Sequence, residues 1–177
     1  MNRILASIAT LAQHLLAIQA MPDVYRPRSC PQCGFGALWR HGYYYRKGEL
    51  STGGATREPV PVQRYKCCGC DGTCSRLPLF ICPRRWYCWA MQQVVLVLLL
   101  CGVSLKNCCE RSGRALRTVV RWRDWLKERS QIFVYCLRSR FPELGRLPDH
   151  DTFWRHVIDS ISLAQAMAWL DRELIVP

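Results

Sequence analysis

The sequence predicts a mainly α-helical chain with one small β region held by cysteines. Three observations predict it. Two C-x-x-C pairs, Cys30/Cys33 and Cys67/Cys70, flank aromatic and β-branched stretches. Apolar residues recur at helical spacing on either side of that region. Cap and turn residues, not strand punctuation, divide the remainder. These marks split the chain into an amphipathic helix over 1–21, the β region over 22–82, a three-helix element over 83–130, and short helices over 131–177.

The chain has 177 residues, enough for one or two small domains. Half of them are hydrophobic, which supports a core and excludes wholesale disorder. The excess of 25 Lys and Arg over 13 Asp and Glu leaves a formal charge of +12. That excess points to a polyanionic partner, either nucleic acid or an anionic membrane surface. Twelve cysteines would suit a secreted disulfide framework only behind a signal sequence. The opening "MNRILASIATLAQHLLAIQAMP" does not read as one. His14 and the glutamines interrupt it, and Ile4, Ile8, Leu11, Leu15 and Ile18 recur at four-three spacing, as on a helix face. Free thiols and metal ligands in a reducing, cytoplasmic setting are therefore expected. The period near 3.5 also suits pairing of two copies into a homodimer.

In the β region, "SCPQCG" and "YKCCGCDGTCS" carry the two cysteine pairs. A C-x-x-C turn brings two sulfurs to one ion, with backbone N–H groups aimed at the thiolates. Two such turns supply the four tetrahedral ligands of a closed structural Zn2+ site. Cys30, Cys33, Cys67 and Cys70 are the expected ligands, holding one ion. Cys68 neighbours a ligand on extended chain and so faces the other way. Cys74 packs as a small apolar residue in a third strand. Cys74 and His41 remain the alternatives that could replace one of the four. Between the pairs, "ALWRHGYYYRKG" and "EPVPVQRYK" read as two strands joined at "STGGAT", with the turn at or near Gly53 and Gly54. Together these make a zinc ribbon, with Arg40, Arg46, Lys47 and Arg64 offering charge to a phosphate backbone.

Trp86 to Leu105 is uncharged over its length, and by length alone it is a candidate membrane span. Gln92 and Gln93 inside it, and Gly102 and Ser104 at its end, favour a buried helix from about Trp86 to Cys101. Next, "GVSLKNCCERSGRALRTVVRWRDWLKER" predicts a short helix capped by Ser104 and ending near Arg111, a tight turn at Gly113, and a longer helix to about Arg129. This outline is that of a helix-turn-helix. Ala115, Val119, Trp122 and Leu126 would face the first helix. Arg114, Arg117, Thr118 and Arg121, flanked by Arg123 and Lys127, would form the DNA-binding side. Lys106 to Arg129 holds eight basic residues against Glu110, Asp124 and Glu128. So few acids leave little scope for i,i+4 pairing, which argues against an ordinary solvated face. Guanidinium groups there suit both phosphates and guanine edges.

"CPQCG", "RYKCCGCDGTCSRLP" and "GVSLKNCCERSGRALRTVVRW" together resemble the N-terminal region of bacterial insertion-sequence transposases and their small DNA-binding companion proteins. The resemblance spans roughly Cys30 to Trp122. It implies a zinc ribbon ahead of a helix-turn-helix, duplex DNA as partner, a mobile genetic element as origin, and a bacterial, nucleoid-associated location. Ala115 departs from the pattern by standing where a Ser or Thr commonly caps the recognition helix, and Arg114 departs by standing where an apolar residue is common. The residues after Arg129 are too few for the family's nuclease domain, so catalysis is not expected of this sequence.

The C-terminal segment reads as two or three short helices separated by Pro142 and Pro148. Asp149 or Asp151 caps the second, and Ser162 with Gln165 makes a capping box for the third. His150 and His156 with Asp149, Asp151 and Asp159 read as caps and surface groups. The expected function is zinc-dependent recognition of duplex DNA. One alternative is a DNA-targeting subunit whose transposase nuclease lies on a separate chain. Another is a small membrane protein spanning at 86–105.

Overall fold

A computed structural model describes residues 3–47, 59–83 and 87–173. The chain divides into two compact units, one within Met1–Cys88 and the other formed by Trp89–Glu173. The N-terminal segment belongs to the same unit as the β region, and the C-terminal segment belongs with the helices that follow Trp89. The described residues are mostly helical, with a small antiparallel sheet and a cysteine cluster.

In the first unit the expected helix over 1–21 is corrected. Its opening forms a short strand β1 (Ile4–Leu5), and only Leu11–Ala20 is helical, as α1. The helix starts at Thr10 because a capping box forms there. The Gln13 amide donates to Thr10 Oγ1 at 3.2 Å, and Gln13 Oε1 accepts from Ala9 and Thr10. The four-three stripe thus straddled a strand, a turn and a helix. In α1 the buried positions are His14 and Ala17, while Leu15 lies 45% exposed. A 3-10 turn follows at Pro22–Tyr25.

Strands β2 (Leu38–Lys47) and β3 (Pro59–Cys67) pair antiparallel, and β4 (Thr73–Cys74) adds to β3. This is the expected hairpin with Cys74 in its third strand; the turn expected at Gly53 and Gly54 lies outside the described residues. Register slips between Arg40 and Tyr43 in a bulge where Gly42 takes φ +67°. A further strand, β5 (Leu77–Pro78), runs parallel to β1. Leu5, Ile8, Ala17, Tyr25, Leu38 and Tyr65 pack with Cys30 and Cys67 in one core cluster. Two of the metal-ligand candidates, Cys30 and Cys67, are thus part of the apolar core, while Cys33 and Cys70 are exposed.

The second unit starts with α2 (Trp89–Leu100), shorter than expected at its N-terminal end. Among the described residues no helix is long and apolar enough to cross a membrane. Next come α3 (Leu105–Ser112) and α4 (Leu116–Arg140). Helix α4 passes the expected end near Arg129 because no glycine or proline interrupts it before Pro142. A 3-10 turn covers Pro142–Arg146, and α5 (His150–Glu173) is kinked at Ser162, where φ is +66°. Asp149 Oδ1 accepts the Thr152 amide at 2.8 Å, and Ser162 Oγ accepts that of Gln165 at 3.3 Å, as two of the expected caps. Gln93 reaches across to accept the Leu163 amide at 2.8 Å. Trp89, Trp125, Phe133, Trp154 and Phe153 run through this unit in successive ring contacts. Buried Trp154 Nε1 donates to Ser130 Oγ at 2.9 Å.

Candidate metal centre and basic helix face

The first cysteine turn closes when the Gly34 amide bonds the Cys30 carbonyl at 2.9 Å, with Gly34 at φ +77°. The second repeats that geometry. The Asp71 amide bonds the Cys67 carbonyl at 3.1 Å, and Asp71 takes φ +56°. An Asp tolerates the left-handed region better than most side chains. Here it also pairs with Lys66 at 2.9 Å. The turns are tied together where the Cys68 amide donates to the Ala37 carbonyl at 3.1 Å.

The four sulfurs of Cys30, Cys33, Cys67 and Cys70 all lie within 4.8 Å of one another and can hold a metal ion. Cys30 Sγ stands 3.7 Å from Cys70 Sγ, and Cys33 Sγ stands 3.5 Å from Cys67 Sγ. A tetrahedron of thiolates about 2.3 Å from a central ion has sulfurs about 3.8 Å apart, so the donor set fits. These separations are far longer than a disulfide bond of about 2.05 Å, and all twelve cysteines are free. Backbone amides aim at the sulfurs, Gln32 N–H at Cys30 Sγ (3.4 Å) and Gly69 N–H at Cys67 Sγ (3.3 Å).

The thiols of Cys30 and Cys70 are shifted in opposite directions. The backbone amides of Cys33 and Gln32 draw the Cys30 thiol down to about 7. At Cys70 the Gly72 amide pulls downward, but the Cys33 thiol, burial and the other two thiols push it up to about 12. Four adjacent sulfurs cannot all become thiolates without a cation, because each charge opposes the next. A bound ion would take the place of those protons. The rest of the cysteine group sorts as the spacing implies. Cys68 is exposed, Cys74 is half-buried against the core, and neither they nor the exposed His41 belong to the four-sulfur cluster.

The basic candidates sit in the other unit. Ser104 caps α3 by accepting the Asn107 amide at 3.3 Å. Gly113 ends α3 at φ +65°, its amide bonded to the Cys109 carbonyl. Ala115 opens α4 with no side-chain cap. It is exposed, which corrects its place in the packing face; Val119, Trp122 and Leu126 are buried as expected. Thr118 is also corrected. It was expected on the DNA-binding side, but it is only 9% exposed, on the buried side of α4 beside Val119. Arg117, Arg121 and Lys127 are exposed. Arg117 and Arg121 lie one turn apart, about 6 Å along the axis. Arg123 is half-buried and paired with Asp124 at 2.8 Å, while Arg114 Nε donates to the Ser112 carbonyl at 3.1 Å. Of the expected backbone-contacting residues in the sheet, Arg40 is held by Asp23 at 2.9 Å, and Arg46 donates to the Cys82 carbonyl at 3.1 Å.

Helical repeats and cap residues carry no signal for Trp39, which lies 68% exposed on β2. The alternation of aromatic and basic residues in "ALWRHGYYYRKG" is the mark that could have found it.

The class these features define is a small sheet with a four-cysteine cluster, followed in the chain by a helical unit with an exposed basic stretch. The chain belongs to the family DUF6431, a domain of unknown function, whose model matches residues 30–122. The match takes in both cysteine turns and ends at Trp122 in α4. No curated protein and no solved structure matches the chain.

Proposed function

We propose that this chain is a zinc-dependent DNA-binding protein of a mobile genetic element, gripping duplex DNA with α4 as the recognition helix of a helix-turn-helix. One observation carries the reading. Immediately after the left-handed Gly113 turn, Arg117 and Arg121 stand exposed one turn apart, while Val119 and Trp122 are buried behind them. Neither arginine has an acid four residues away to neutralise it. Those positions hold Gly113 and Arg121 around Arg117, and Arg117 and Trp125 around Arg121. Asp124, three residues beyond Arg121, is engaged by Arg123 at 2.8 Å. Guanidinium groups so placed can reach guanine edges in the major groove, and Lys127 can reach a phosphate.

The cysteine cluster supports the reading from the other unit. Four thiolates in a closed tetrahedral set, with no open position, suit one structural zinc. Zinc there would brace the sheet as a zinc ribbon, and the chain would act by binding alone. Its partner for any strand cleavage would be a separate transposase chain.

The test measures binding of fluorescent duplexes chosen by selection from random DNA. Arg117→Ala and Arg121→Ala should each cost about 1–3 kcal/mol and relax the preferred sequence locally. Lys127→Ala should weaken all sequences alike and reduce the salt slope by about 1. Equal binding by the wild type and the Arg117/Arg121 double variant would remove α4 from the interface.

A further inference from the structure

Trp39 presents a large apolar ring to solvent near the start of β2, an edge strand of the three-stranded sheet. Leaving such a side chain exposed forgoes about 1.5–3 kcal/mol of burial, and nothing about its setting is loose. Its neighbour Leu38 pairs in register with the ligand candidate Cys67, and Trp39 itself pairs with Lys66, which pairs in turn with Thr73. Along β3 the side chains alternate. Gln63, Tyr65 and Cys67 are buried on one face, and Arg64 and Lys66 are half-exposed on the other. Trp39 therefore shares its face with Lys66 and, two positions along, Arg64. Arg64 donates to Thr73 Oγ1 at 3.4 Å, and Lys66 pairs with Asp71 at 2.9 Å, which holds both cations along the same face.

We infer that this sheet face is a binding site for single-stranded nucleic acid, with an unpaired base stacked on Trp39 and the flanking phosphates met by Arg64 and Lys66. An aromatic ring on a rigid support beside cations is the chemistry that holds a single strand, because every base has a π-face and every linkage a negative charge. In a duplex those faces are already covered by neighbouring bases, so an exposed ring finds little to stack on. Charge complementarity selects this occupant: Lys66 stands opposite Trp39 and Arg64 two positions along β3, against the carboxylate of Asp71 among the described residues, in a chain of net charge +12. Carrying the ring on a strand paired to β3, next to the residue that faces Cys67, also lowers the ordering cost of binding. The inference rests on the nucleic-acid reading for the class of partner, but it concerns different residues in a different unit.

The experiment titrates the full-length, metal-loaded chain into a fluorescent mixed-sequence single-stranded oligonucleotide and into the matching duplex. Trp39→Ala should weaken single-strand binding about 5- to 150-fold, as expected for losing one stacked base. Trp39→Phe should restore most of it, and duplex binding should be unchanged. Lys66→Ala should lower the single-strand salt slope by about 0.7. Metal content of each variant, unchanged, shows that the sheet is intact. Equal single-strand affinity of wild type and Trp39→Ala would overturn the inference and leave the face to a protein partner. Loss of duplex binding in the Arg117/Arg121 variant alongside that result would show the helix reading standing while this one falls. Single-strand binding that depends on Trp39, with no duplex binding by the wild type, would show the reverse.

Discussion

Replacing Cys67 by serine should unfold the first unit and leave the second folded. Cys67 is fully buried, its amide is bonded to the Gly72 carbonyl at 2.9 Å, and its sulfur lies 3.5 Å from that of Cys33. An ion held there would sit against the same core that Tyr25, Leu38 and Tyr65 build. A structural zinc contributes about 10–16 kcal/mol of apparent binding energy to small domains. A whole domain is stable by only about 5–15 kcal/mol. A three-sulfur remnant that kept half of the binding energy would still lose about 5–8 kcal/mol, enough to cancel the stability of the unit. The assay pairs metal analysis of purified protein with limited proteolysis. Wild type should carry one zinc per chain, and Cys67→Ser should lose it and be cut within residues 3–83. Fragments containing Trp89–Glu173 should stay resistant, because their core holds no ligand. Cys68→Ser is the control, since its exposed side chain should change stability by no more than about 0.5 kcal/mol. The reasoning fails if Cys68→Ser loses metal as fully as Cys67→Ser, or if Cys67→Ser keeps both its ion and its resistance.

Two further outcomes follow from particular side chains. His14 Nε2 lies 2.7 Å from the Pro61 carbonyl, to which it donates, and its Nδ1 accepts from Tyr25 Oη at 2.6 Å. Burial holds its imidazole below the ordinary 6.5, against the raising pull of the Pro61 carbonyl. The folded value lies below the unfolded one, so its stabilising effect is full above 6.5 and is lost as pH falls from there through the folded value. Urea midpoints should therefore drop more steeply on acidification for wild type than for His14→Gln, and parallel curves would refute the assignment. Gly113→Ala should cost about 1–2 kcal/mol from backbone conformation alone, because an added Cβ meets no atom within 4 Å. A thermal midpoint unchanged by that substitution would show that the turn relaxes without cost.

Features set by neighbouring residues were legible in the sequence. The two cysteine turns, the Ser104 cap, the Gly113 turn, and the Asp149 and Ser162 caps each depend on hydrogen bonds spanning only a few residues, so a local motif specifies them. Cys68 is exposed as expected, but it lies in the turn after β3 ends at Cys67, not on the extended chain from which its direction was read. Features set by distant partners were not legible. Ile4 and Leu5 look helical beside Ile8 until β5 supplies a parallel partner more than seventy positions away. Once they leave the helix, α1 turns so that His14, not Leu15, enters the core, where Tyr25 and Pro61 satisfy both ring nitrogens. Thr118 shares a helical turn with Arg117 and Arg121, and only the packing of α4 decided that it is buried while they are exposed. Periodicity names the spacing of a face, but which face is covered depends on the elements that the rest of the chain brings against it.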